Sequence, residues 1–150
     1  MKPLDFELAF LIMMMEFSFL KESNSSDLYV WNIISLCLYF WGFGINEVDE
    51  ARRTFVEITN GKRHYDESNG KVALISFVKE NYERRILFIT HLATVAASQS
   101  GDITNEQLNF IRSLATSFEI SEEDTTYSFQ RGVDLATAVR FIVQQSAKAK

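Results

Sequence analysis

Residues 92–124 read LATVAASQSGDITNEQLNFIRSLATSFEISEED. A run of small residues meets a lone glycine, an acid, an isoleucine, a threonine and then an apolar periodicity. Thr104 is well placed as an N-cap and Gln107 stands at the N3 position, which together spell a capping box. Ile103 precedes the cap and Leu108 falls at N4, so a hydrophobic staple is available too. Gly101 can take the left-handed conformation that turns the chain. Loss of such a cap costs about 1 kcal/mol. Ser121, followed by Glu122, Glu123 and Asp124, marks the next helix start, where the helix dipole favours acids.

The same turn invites a metal reading. With Gly101 at the sixth position of a calcium loop, Ala96, Ser98, Ser100 and Gln107 fall at positions one, three, five and twelve. An EF-hand needs carboxylates at several of these places and a bidentate glutamate at the last. None is present, so this is not an EF-hand. Asp102 and Glu106 remain as candidate ligands, with Asp27 as the counterpart of Asp102 in the first half of the chain.

Outward from this stretch the chain reads as all-α. Its one proline is Pro3, so the interior is free for helices, and alternating strand patterns are scarce. The spacing predicts helices over 4–21, 27–43, 46–60, 71–81, 82–98 and 105–118. A further helix follows Ser121, and a last one covers 133–147. Residues 61–70, GKRHYDESNG, read as a polar loop, with Gly61 as a helix stop. Sliding the chain by 75 residues superposes its halves without a gap. Ser23, Ser25, Asp27, Phe43, Ile45, Glu47 and Asp49 meet identical residues at 98, 100, 102, 118, 120, 122 and 124. The expectation is an internal repeat over approximately 8–55 and 83–130 within one domain, 1–150. Paired helical units of this kind commonly face each other about a pseudo-twofold axis. The segments at 27–43 and 105–118 would form the buried centre.

Composition narrows function. Residues 1–75 carry 7 basic and 11 acidic groups, residues 76–150 carry 8 and 9, and the net charge is −5. No basic stripe exists to neutralise phosphates, which argues against nucleic-acid binding. Cys37 stands alone in an apolar context, so no intrachain disulfide forms and the thiol reads as inert. The early acids Asp5 and Glu7 argue against a signal peptide. Residues 28–45, LYVWNIISLCLYFWGFGI, are 18 uncharged residues, which is the threshold of a membrane span. Asn32 and Ser35 interrupt them, and acids rather than Lys or Arg flank them. A helix apolar all round also suits the centre of a bundle. His64 lies in a polar loop and His91 on a helix without a second ligand at metal-binding spacing. No phosphate loop, carboxylate pair or Ser-His-Asp set can be proposed.

The stretch 92–124 resembles the signature of TerB-like domains, the family named for tellurite resistance. That pattern has a small-residue helix, Asp-Gly-x-Ile, a Ser/Thr cap, two acids, an apolar helix and a Leu/Ile-Ser acidic start. Ala96, Ala97, Gly101, Ile103, Thr104, Glu106, Ile120, Ser121 and Glu122 match it. The chain departs from it at Ser100, where the family has Asp, and at Gln107, where it has a second acid. In the first half Ser26 replaces the glycine. The resemblance implies a bundle of about seven or eight helices, arranged as two three-helix repeats about a pseudo-twofold axis. It also implies a link to metal-ion stress and acidic surfaces able to meet a divalent metal.

Together these readings predict a cytoplasmic, non-enzymatic interaction or scaffold module tied to tellurite or another stress response. It would work through a protein partner or a homodimer, with no cofactor. The alternative is a peripheral membrane-associated helical protein, and a third is a metal-binding stress protein using Asp102, Glu106 and Asp27.

Overall fold

The structure, a computed structural model, describes residues 28–62, 67–100 and 103–148. Those residues form six helices and no strand: α1 (Leu28–Phe40), α2 (Ile45–Thr59), α3 (Glu67–Lys79), α4 (Tyr82–Ser100), α5 (Asn105–Ser117) and α6 (Glu122–Lys148). The all-α expectation holds. The helix expected over 4–21 lies outside the described residues.

Two boundaries differ from expectation. Asn69 and Gly70 were expected in a loop, but α3 already begins at Glu67 and runs through both. The separate helices expected after Ser121 and over 133–147 are one, the 27-residue α6, which passes through Gly132 unbroken. Glycine weakens a helix by up to about 1 kcal/mol against alanine but does not end it when packing compensates.

Contacts divide the chain into two compact units, with α1–α3 in the first and α4–α6 in the second. In the first, α1 buries Ile33, Ile34, Cys37 and Leu38, which share one face. α2 buries Val48, Ala51 and Thr54, and α3 buries Leu74 and Val78. The Trp41 and Phe77 rings stand 6.4 Å apart and tilted. α2 closes with Gly61 at φ +74°, while Lys62 N–H donates to the Glu57 carbonyl at 2.8 Å, so Gly61 is the helix stop its sequence suggests.

The second unit is organised around α4, whose residues 91–98 are all buried. Three of its hydroxyls bond back to its own backbone. Thr90 Oγ donates to the Ile86 carbonyl, Thr94 Oγ to the Thr90 carbonyl and Ser98 Oγ to the Val95 carbonyl. α6 runs parallel to α4, and three contacts with nearly constant offset fix the pairing. Tyr82 Oη donates to the Asp124 carboxylate at one end. Gly132 packs on Ala93 in the middle. Arg140 Nη2 donates to the carbonyls of Ala97 at 3.3 Å and Ser98 at 2.9 Å at the other end. That last contact places a cation on carbonyls of the last turns of α4, at the negative end of its dipole. The chain following α5 is held on α4 by Phe118 against Phe88, with ring centroids 6.2 Å apart, and by Arg85 Nη1, which donates to the Phe118 carbonyl at 3.1 Å.

Full burial thus falls on α4, not on α1 and α5 as the sequence suggested. α5 buries only Gln107, Ile111 and Ala115, and α1 exposes Asn32, Leu36, Tyr39 and Phe40.

The turns α1–α2 and α5–α6 share one backbone design. Phe43 N–H donates to the Leu38 carbonyl at 3.3 Å, and Ile120 N–H to the Ala115 carbonyl at 3.1 Å. Between these bonds sit the left-handed residues Gly42, at φ +96°, and Glu119, at φ +58°. These are Schellman closures. Helix starts follow at once, capped by the Glu47 side chain on Gly44 N–H and by Ser121 Oγ on Asp124 N–H. Leu38 corresponds to Ala115, Gly42 to Glu119, Phe43 to Ile120 and Glu47 to Asp124. That spacing is 77 residues, whereas residue identities align at 75.

Candidate functional site

The turn before α5 is described from Ile103 onward, so Gly101, Asp102 and Asp27 lie outside the described residues. What is described is a complete capping box. Thr104 Oγ accepts from Gln107 N–H at 3.1 Å, and Gln107 Oε1 accepts from Thr104 N–H at 3.0 Å. Gln107 is 3% exposed. A carboxylate there would have to be stripped of water, whereas a neutral amide makes the same bond with less desolvation. This gives a physical reason for glutamine where the TerB-like pattern has an acid. Glu106, the remaining candidate ligand, is exposed on the first turn of α5. Among the described residues no group of three or more His, Cys, Asp or Glu side chains could hold a metal ion.

The staple residues lead to a feature that sequence reasoning missed. Ile103 and Leu108 line one wall of a groove of about 220 Å³ between α5 and α6, with Phe129 and Val133 opposite. Arg112, Thr126 and Gln130 complete its lining. The four α6 residues at 126, 129, 130 and 133 form a ridge at helical spacing. That periodicity is visible in the sequence, but the identity of the opposing wall requires the α5–α6 turn.

Neither titratable candidate of the helix cores is reactive. Burial pushes the Cys37 thiol up to about 12, so it stays protonated and inert. Burial pulls His91 down from 6.5 to about 4, so its imidazole is neutral at physiological pH.

The apolar segment 28–45 divides into two roles. The face with Ile33, Ile34, Cys37 and Leu38 is core, and the opposite face leaves Leu36 41%, Tyr39 39% and Phe40 65% exposed. Helix α1 has 13 residues and spans about 20 Å at 1.5 Å per residue, short of the roughly 30 Å hydrocarbon layer. Among the described residues no helix is long and apolar enough to cross a membrane.

Compared with protein-family models, with curated proteins and with solved structures, the chain gives no match. The TerB-like resemblance rests on the residues quoted for it.

Proposed function

We propose that this chain is a non-enzymatic interaction module of TerB-like type, docking a protein partner or a second copy through the outer face of α1. The observation that carries this reading is the exposure of Leu36, Tyr39 and Phe40 on one uncharged helix face. Positions i, i+3 and i+4 are neighbours on a helix surface, so the three make one continuous patch. Apolar patches of that kind on a folded protein mark interaction surfaces. Ile45, two-thirds exposed just beyond the turn, adds to the apolar surface of this segment.

The rest of the reading comes from the resemblance. It includes the two three-helix repeats about a pseudo-twofold axis and a role in tellurite or other stress response, while the cytoplasmic setting is read from the lone cysteine, Cys37.

Peripheral membrane contact is the second reading of the same face. An interfacial helix gains from Lys and Arg beside its apolar stripe. Here the adjoining helix start carries Glu47, Asp49 and Glu50, and the nearest base on that side is Arg52. That charge pattern favours a protein. The test is affinity capture and sedimentation of the unaltered chain beside L36E/F40E. A specific partner or a concentration-dependent dimer, lost in the variant, is the expected result. Co-sedimentation with anionic vesicles and no protein partner would replace the proposal with the membrane reading.

A further inference from the structure

The groove between α5 and α6 has a chemistry of its own. Arg112 is the one basic residue between positions 101 and 130, against six acids. Even so, its guanidinium makes no ion pair or hydrogen bond with a described residue. The other polar side chains of the lining already make hydrogen bonds within α6. Thr126 Oγ donates to the Glu122 carbonyl at 3.0 Å. Gln130 Nε2 donates to Asp134 Oδ1 at 2.9 Å. Arg112 is therefore the charged donor that the groove offers to a ligand, and a guanidinium is matched by a carboxylate.

The lining is ordered from end to end. The tight turn at 118–121 folds α6 back beside α5. Arg112 and Thr126 come from the part of the hairpin nearest that turn, and Ile103 and Val133 from the part farthest away. Leu108 and Phe129 lie between. One end carries the cation, and apart from Thr126 and Gln130 the rest of the lining is apolar. The volume, about 220 Å³, falls below the roughly 300–1,000 Å³ of sites for drug-sized ligands.

We infer that this groove binds the anion of a short amphipathic monocarboxylic acid, with the carboxylate on Arg112 and the alkyl chain along Leu108, Phe129 and Val133 toward Ile103. Charge complementarity selects the head, and the apolar remainder selects the tail. Binding here does not depend on a partner docking at α1.

Octanoate and octanol are suitable probes, added below micelle-forming concentrations to the full chain labelled for amide NMR. Octanoate is expected to bind saturably, with shifts concentrated at Leu108, Arg112, Phe129 and Val133, and about tenfold more tightly than octanol. R112Q should weaken octanoate about tenfold and leave octanol unchanged, while R112K should retain most of the octanoate affinity. Arg112 is exposed, so neither change removes core packing. Should R112Q fail to fold, the octanoate–octanol difference on the unaltered chain decides alone. Equal affinity for the two probes, shifts confined to Phe141 and Ile142 or to Leu36 and Phe40, or no saturable binding would each overturn the assignment.

Discussion

A Cβ placed on Gly132 would stand 2.5 Å from the Cβ of Ala93 and 2.7 Å from the Thr90 carbonyl oxygen. No real pair of side chains comes that close, so α6 lies against α4 at a distance that only glycine permits. Ser128 and Ala136, one turn to either side, keep the same ridge small and are both buried. Interiors are packed too tightly to absorb an extra methyl at such a crossing.

G132A is therefore expected to cost about 2 kcal/mol, although the same change in an exposed helix gains up to about 1 kcal/mol. A93G should recover part of the loss in the double variant, and the Thr90 carbonyl should withhold the rest. Urea denaturation midpoints of the four proteins give the coupling directly. A single variant as stable as the parent would show that the helices do not approach this closely.

Glu119 holds φ +58° at the position where the corresponding turn has Gly42. A side chain in that region costs roughly 1–2 kcal/mol. E119G should raise stability by about 1 kcal/mol, and G42A should lower it by a similar amount, measured by the same titration. A loss of stability in E119G would contradict the shared turn geometry.

His91 is 2% exposed, and burial lowers its pKa from 6.5 to about 4. The unfolded chain binds the proton more readily than the folded one, so stability is complete above pH 6.5 and declines as pH falls toward 4. The loss amounts to about 3 kcal/mol over that window. Carboxylates add their own slope near the lower end, so the comparison is with H91N. Its stability should be lower at pH 7 but flatter between pH 6.5 and 4.5. An unchanged slope would assign the acid sensitivity elsewhere.

The capping box makes a coupled pair of Thr104 and Gln107. T104A should cost about 1 kcal/mol, and adding Q107A should cost less than the two single losses together. Strict additivity would mean that the two bonds form independently.

These features differ in how far the sequence exposes them. The box at Thr104 and Gln107, the stop at Gly61 and the cap at Ser121 follow local rules that need no knowledge of distant residues. Gly132, just before the last helix expected at 133–147, is the opposite case. A glycine within a helical pattern reads as a break, and only Ala93, 39 positions earlier, explains why it is present. Burial was also misassigned between helices. Residues 28–45 are apolar enough to suggest a central helix, yet α1 turns Leu36, Tyr39 and Phe40 outward. α4 contains His91, Thr94 and Ser98 and is buried nonetheless, in part because its hydroxyls bond its own backbone. Of the acids proposed for a metal, only Glu106 is described, and it faces solvent. The groove at Arg112 was illegible because its walls meet only after the chain reverses at 118–121.

The proposed role rests on the outer face of α1, and the most direct measurement is site-specific photocrosslinking from that face in the source cells. A photoreactive residue at position 40 should give one discrete adduct, either with another protein or with a second copy of the chain. The same residue at position 109, exposed on α5, should not give it, and L36E should abolish it. No adduct from position 40, or the same adducts from both positions, would contradict the account.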